Sequence, residues 1–337
     1  MRAFQLDRFH SVDGLVPHER ETPRPGPHEV LVRVRAASVN YRDVMVLRQS
    51  YPVPCPAGTI ALSDGAGEVV EVGEGVTRVA QGDHVAATYF VNWIDGRLTY
   101  EQTRHQLGSS HDGMLADYRV LSEEQLVRVP RQLSFVEAAT LPCAALTAWS
   151  GINGPRALLP GETVLVLGSG GVALFAMQFA QLFGARTIVV TSSEEKAERL
   201  RALGATHAIA RDQLPEWDAR VRELTDGRGA DHIVEAIGPS TLARSIQAGA
   251  FDAQIALMGV FGSQDSSLAG SAFNGRLLSL RRIAVGSRAM FEAMNRAIEA
   301  HRLRPVIDRV FAFDEAREAY RHFDTAPHFG KVVIDIE

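Results

Sequence analysis

Gly168-Ser169-Gly170-Gly171-Val172 follows a short run rich in valine and leucine, Thr163–Leu167, and opens a stretch, Val172–Phe183, that is apolar almost all round. Glycines between a strand and a helix permit a tight turn and let the backbone approach a pyrophosphate closely. The helix start adds free N–H groups and a partial positive charge. With a β-branched run on schedule at Thr187–Thr191, the pattern reads as a dinucleotide-binding turn. The alternative is a glycine turn in an α/β protein that binds another ligand or none.

The end of that second run bears on which dinucleotide. An NAD site usually places an acid there to bind the ribose 2′-OH. This chain has Thr191, Ser192 and Ser193 instead. Hydroxyls beside Lys196, with Arg211 at the end of the third strand, suit a 2′-phosphate, so NADP(H) is the expected cofactor. Ser192-Ser193-Glu194-Glu195 has a plainer role as a capping box, and Lys196 and Arg211 read equally well as surface cations.

These residues need a scaffold, and the surrounding pattern supplies one. Strand candidates at Thr163–Leu167, Thr187–Thr191, His207–Ala210, Asp231–Ile237, Gln254–Val260 and Arg282–Gly286 alternate with helical stretches. That alternation predicts an α/β fold with a doubly wound parallel sheet. Thr163–Ala185 carries no charge and is long enough to span a membrane, but its glycines divide it into a buried strand, turn and helix. The first third differs: short β-rich pieces at Glu29–Ala36, Gly67–Val72, His84–Thr88 and Tyr118–Leu121 lie between Gly and Pro clusters, as in a barrel-like domain.

Composition narrows the class. The chain has 337 residues, 46% hydrophobic and 22% charged, with a net charge of -5. This fits a two-domain globular protein and gives no footprint for nucleic acid or a membrane surface. Cys55 and Cys143 form no CxxC pair, which fits a reducing compartment. The N-terminus meets charge too early for a signal peptide, so a cytoplasmic location is expected.

Longer motifs carry a family resemblance: Ala37-Ser38-Val39-Asn40-Tyr41-Arg42-Asp43, Ser63-Asp64-Gly65-Ala66-Gly67-Glu68-Val69-Val70, Leu146-Thr147-Ala148-Trp149, Arg304-Pro305-Val306-Ile307-Asp308 and Phe329-Gly330-Lys331-Val332-Val333. Together with the glycine turn they cover nearly the whole chain. The sequence resembles the medium-chain dehydrogenase/reductase family, in the zinc-independent branch with quinone and enoyl reductases. The resemblance implies a GroES-like β-rich catalytic domain over 1–123 and 287–337, a Rossmann NADP(H)-binding domain over 124–286, and a homodimer formed through the last strand of the cofactor sheet. It places Thr147 at the nicotinamide ribose or ring, Ile237 among the cofactor-binding residues, and Met258 and Val260 near the carboxamide. Arg288 and Lys331 resemble cofactor contacts.

In zinc-dependent members of that family a cysteine, a histidine and a second cysteine or acid hold the metal. The matching positions resemble Asn40, Ser63 and Cys143, and a zinc site needs three protein ligands, so no zinc is expected. Without a Lewis acid, hydride transfer to a quinone, an enone or another α,β-unsaturated carbonyl is the favoured reaction, over an alcohol or aldehyde dehydrogenase. A non-catalytic NADPH-binding structural or regulatory protein is the reading from another class. The resemblance to enoyl reductases places Tyr51 at the offset of a catalytic tyrosine, although Pro52 stands where those enzymes tend to have glycine. Tyr41, inside the motif, is a second candidate, and Asn40 resembles a residue lining the nicotinamide pocket. Packing with one satisfied hydroxyl is the plainer role for both tyrosines.

Overall fold

The computed structural model describes residues 1–259 and 270–337. Two compact units form, one from Met1–Leu146 with Val285–Glu337 and the other from Thr147–Ala284.

The first unit begins with β1 (Arg2–Leu6), β2 (Leu15–Glu19), β3 (Glu29–Val39) and β4 (Thr59–Ile60). β1 lies between β2 and β4 in a three-stranded sheet. A larger sheet gathers around β3, using β5 (Asp64–Val72), β6 (His84–Ala87), β7 (Tyr118–Ser122) and β8 (Leu126–Arg128). β3 is long enough to pair with β5 along one side and with β7 at its N-terminal end on the other. Gly67 permits this closeness: a Cβ there would lie 2.1 Å from the Arg33 carbonyl oxygen, beside a register shift at Val34/Ala36.

The second unit is a six-stranded parallel sheet of β9 (Thr163–Leu167), β10 (Arg186–Thr191), β11 (His207–Ala210), β12 (Ala230–Glu235), β13 (Gly249–Leu257) and β14 (Ser279–Arg282), in the order β11-β10-β9-β12-β13-β14. Every residue of β9 and β12 is buried, as expected of central strands covered on both faces. The strand order reverses between β9 and β12, the place where doubly wound sheets bind ligands. The apolar helix Gly171–Leu182 buries Ala173–Met177, Phe179 and Ala180. Among the described residues no helix is long and apolar enough to cross a membrane.

The chain then returns to the first unit. β15 (Ile307–Ala312) runs parallel to β16 (Lys331–Asp335), and β16 pairs antiparallel with the C-terminal end of β3. Phe311, Phe313, Tyr320, Val332 and Ile334 join Phe4, Val32 and Val69 in one core.

Several boundaries differ from the sequence reading, and those of the first unit and of the fifth and sixth parallel strands bear on the site. The first unit extends to Leu146 rather than 123, because β8 pairs with β6 and the Cys143 N–H donates to Asp64 Oδ2 at 3.0 Å. The sixth parallel strand is Ser279–Arg282, earlier than Arg282–Gly286, with Leu280 opposite Ile255. The fifth ends at Leu257, and Val260 lies outside the described residues.

Candidate active site

The glycine turn takes the geometry that its sequence requires. Gly168 adopts φ 103°, which favours glycine, and its N–H donates to the Val190 carbonyl at 2.7 Å. Gly170 caps the helix in extended conformation, and Gly171 and Val172 open its first turn. The Thr191 hydroxyl donates to Ser169 Oγ at 3.1 Å, so the glycine turn and the end of β10 are locked together. The Ser193 side chain accepts from the Lys196 N–H as an N-cap. The Arg211 N–H donates to the Thr191 carbonyl at 2.9 Å. Ser169, Thr191, Ser192, Ser193, Lys196 and Arg211 thus gather at the C-terminal ends of β9, β10 and β11.

A carboxylate that the sequence reading passed over supports the neighbouring loop. Glu235 ends β12 fully buried. Its Oε1 accepts from the N–H groups of Ile237 at 3.0 Å and Gly238 at 2.9 Å, and from the Thr241 hydroxyl at 2.9 Å. Oε2 accepts from the Ser245 hydroxyl, and the Glu235 carbonyl accepts from the N–H groups of Met258 and Gly259. Burial raises the carboxyl above its ordinary range while these donors pull it back. Ile237 and Met258 are therefore held by one residue. Gly259 has no room for a side chain, since a Cβ would lie 2.2 Å from the Ile237 carbonyl carbon. Thr147 is buried at the start of the second unit.

The first unit has a buried polar centre of its own. Lys331 Nζ donates to Asn40 Oδ1 at 2.6 Å and to the Val39 carbonyl at 2.9 Å. The Asn40 N–H donates to Asp43 Oδ2 at 2.8 Å, and Arg42 Nη1 donates to Asp43 Oδ1 at 3.0 Å and to the Leu107 carbonyl at 2.9 Å. Asp64 accepts from the Ser63 hydroxyl at 2.7 Å and from the Cys143 N–H. Burial pushes both Asp43 and Asp64 up, and the Arg42 and Lys331 cations offset the rise. Desolvation lowers Lys331, and Asp64 is foremost among the groups that oppose it. Cys143 lies in a turn of π-helix, Leu141–Ala145, and its thiol is driven far up by desolvation and by Asp64.

Beside this centre sit two tyrosines. Tyr51 Oη lies 2.6 Å from Tyr89 Oη, and both hydroxyls reach Gln106 Oε1, at 2.8 and 2.9 Å. The Arg42 guanidinium carbon lies 4.9 Å from the Tyr51 ring centroid and 5.2 Å from that of Tyr89. Tyr51 is partly open and Tyr89 is buried. Tyr41 opens the helix Tyr41–Leu47 and is partly buried.

Comparison with known proteins places this arrangement. Residues 26–131 match the alcohol dehydrogenase GroES-like domain, and residues 171–300 match the zinc-binding dehydrogenase family. A zinc-type alcohol dehydrogenase-like protein of Schizosaccharomyces pombe is 42% identical over 98% of this chain and 98% of its own length. The quinone oxidoreductase of Pseudomonas aeruginosa is 33% identical over 99% of both chains. A solved structure from Sinorhizobium meliloti has a TM-score of 0.93 at 39% identity, covering 99% of this chain and 98% of that one. The chain belongs to the medium-chain dehydrogenase/reductase family.

As a medium-chain dehydrogenase/reductase, the protein is an oxidoreductase that works with a nicotinamide cofactor. Its first unit is the GroES-like one and its second the Rossmann sheet. Two residues that resembled cofactor contacts have other partners in this medium-chain dehydrogenase/reductase. Lys331 is fully engaged inside the first unit. Arg288 lies with its guanidinium against Glu124, to which Nη1 donates, and Glu292. Both cations are drawn inward because a carboxylate or carbonyl waits for them there. Sequence reasoning also missed Arg42, Tyr89, Gln106 and Glu235. Only Glu235 left a trace, as an acid inside the strand candidate Asp231–Ile237.

Proposed function

We propose that this oxidoreductase reduces a quinone, an enone or another α,β-unsaturated carbonyl, with NADPH as the hydride source and without a catalytic metal. The observation that carries the reading is the Lys331 ammonium bonded to Asn40 Oδ1 at 2.6 Å.

The family resemblance puts metal-ligand positions at Asn40, Ser63 and Cys143, and these donors do not suit zinc. The Asn40 oxygen already accepts from a cation. The Ser63 hydroxyl donates to Asp64. Cys143 is then the one soft donor of the three, its thiol raised by desolvation and by Asp64, where a zinc site needs three protein ligands. Two buried cations, Lys331 and Arg42, face two buried carboxylates, Asp43 and Asp64. A divalent ion would add charge that nothing nearby offsets. An alcohol or simple ketone would then have no Lewis acid to activate it. An activated C=C bond or a quinone accepts hydride more readily and needs a proton or hydrogen bond where electron density builds. Tyr51 is the donor favoured for that task, with its hydroxyl fixed by Tyr89 and Gln106. Asn40 and Tyr41 would line the same part of the first unit.

The preference for NADPH rests on the hydroxyls of Thr191, Ser192 and Ser193, which replace an acid at the end of β10, with Lys196 and Arg211 beside them. A homodimer through β14 is part of the same reading. That strand is the edge of the parallel sheet, and Phe251, Leu277 and Leu280 are exposed near it. An edge strand with apolar neighbours is a natural pairing surface.

An NADPH-consumption screen over 1,4-quinones, enones, enoyl thioesters and aldehydes tests the assignment. Turnover of quinones or enones supports it. Tight NADPH binding with no turnover across the panel favours a non-catalytic role.

A further inference from the structure

Tyr89 stands behind Tyr51, and the hydroxyl geometry gives it a task. The Tyr51 and Tyr89 oxygens and Gln106 Oε1 form a triangle with sides of 2.6, 2.8 and 2.9 Å. Two hydroxyl protons serve three short contacts. Gln106 turns its amide nitrogen away, donating to the Thr103 carbonyl, so toward the tyrosines it only accepts. If Tyr51 loses its proton, Gln106 Oε1 offers the phenolate nothing, and Tyr89 O–H is the donor within reach.

The surroundings favour a negative charge at this point. Arg42 is buried over both rings. Its Nη1 is committed to Asp43 and the loop carbonyls of Leu107 and Gly108. Its Nε and Nη2 make no hydrogen bond among the described residues. The guanidinium therefore presents charge to the tyrosines without being spent on them. The other titratable groups near this set are Asp43, Cys55 and Tyr320 toward Arg42, and Cys143 toward Tyr89. Burial holds Tyr89 well above the usual phenol range, so it stays a donor while Tyr51 is the more open of the pair.

We infer that Tyr89, backed by Arg42, is a positioning residue that stabilises the phenolate of Tyr51 as Tyr51 gives up its proton. This rests on the reading of Tyr51 as the proton donor. The acceptor gains a hydride, and with it two electrons, from NADPH. The Tyr51 O–H bond breaks and its proton bonds to the acceptor atom that has become electron-rich. Tyr89 O–H turns from Gln106 to the Tyr51 oxygen, and the phenolate then recovers a proton from water.

The test compares Tyr51→Phe, Tyr89→Phe and the double variant, with melting curves as the control for folding. Loss of a charge-assisted hydrogen bond should lower the kcat of Tyr89→Phe by about ten- to a hundredfold, with the acceptor KM held. The alkaline limb of kcat should move to higher pH, because Tyr51 becomes the weaker acid. In the Tyr51→Phe background, Tyr89→Phe should have no further effect on kcat. A Tyr89→Phe enzyme with the parental kcat and alkaline limb would overturn the inference while leaving Tyr51 as the donor. An undiminished Tyr89→Phe loss in the Tyr51→Phe background would overturn it in the same way. A Tyr51→Phe enzyme at the parental rate would instead remove the proton-donor reading itself.

Discussion

The Lys331 ammonium donates to Asn40 Oδ1 at 2.6 Å, joining the first residue of β16 to the residue that follows β3. The bond sits between two neighbouring interior strands of one sheet, since Val332 pairs with Val39 in the antiparallel ladder. It holds a cation inside the first unit beside Asp64 and Asp43. Lys331→Met should therefore cost about 3–5 kcal/mol, the usual penalty for leaving a buried charge unpaired. Adding Asp64→Asn should restore a large part of it. Urea unfolding of the three proteins measures this, and an unchanged midpoint for Lys331→Met contradicts it.

Cofactor choice is testable at the ends of β10 and β11. Lys196→Ala and Arg211→Ala should each raise the KM for NADPH about tenfold, as expected for a lost ion pair with phosphate, while the KM for NADH stays near the parental value. Steady-state kinetics with both nucleotides decides it. A variant that keeps the parental preference removes that residue from the 2′-phosphate site.

Glu235 organises the loop that carries Ile237. Glu235→Leu keeps the bulk and leaves the N–H groups of Ile237 and Gly238 and the hydroxyls of Thr241 and Ser245 without their acceptor. Buried donors left unpaired cost about 1–3 kcal/mol each, so a stability loss of at least about 3 kcal/mol is expected, together with weaker NADPH binding. Thermal melting and nucleotide titration by fluorescence report the two effects.

Acid stability has a separate origin in the first unit. Glu123 accepts from the N–H groups of Thr77 and Arg78, both at 2.8 Å, and its Oε1 lies 3.0 Å from His28 Nδ1. These partners lower its carboxyl to about 2, below the ordinary value of about 4.3. Its stabilising contribution is complete above the unfolded value and is lost as the pH falls from about 4.3 through about 2. Glu123→Gln should lose about 2 kcal/mol at neutral pH and show a flatter fall in stability across that window. Denaturant midpoints between pH 7 and pH 2 check the sign.

How much could be read from the sequence depended on the distance between partners. β9, the glycine turn and β10 follow one another, so period, turn chemistry and spacing located them within a residue or so. The lock between Thr191 and Ser169 involves residues already chosen for their place in that motif. The partners of Lys331 and Arg288 were not legible because they are remote: Asn40 is 291 residues from Lys331 and Glu124 is 164 from Arg288. A cation in a sequence shows its charge but not the carboxylate it will meet. Tyr89 and Gln106 were missed for the same reason, since β6 and the loop after it must fold before their polar atoms converge on Tyr51.

Reduction of an activated acceptor by NADPH without a metal is the proposed function. The most direct test is NADPH oxidation by a 1,4-quinone or an enone, measured before and after chelator treatment on protein whose zinc content is known. Turnover that survives chelation, with zinc far below one ion per chain, is the expected result. Turnover confined to alcohols or aldehydes, and dependent on about one zinc per chain as in a catalytic zinc site, would contradict it.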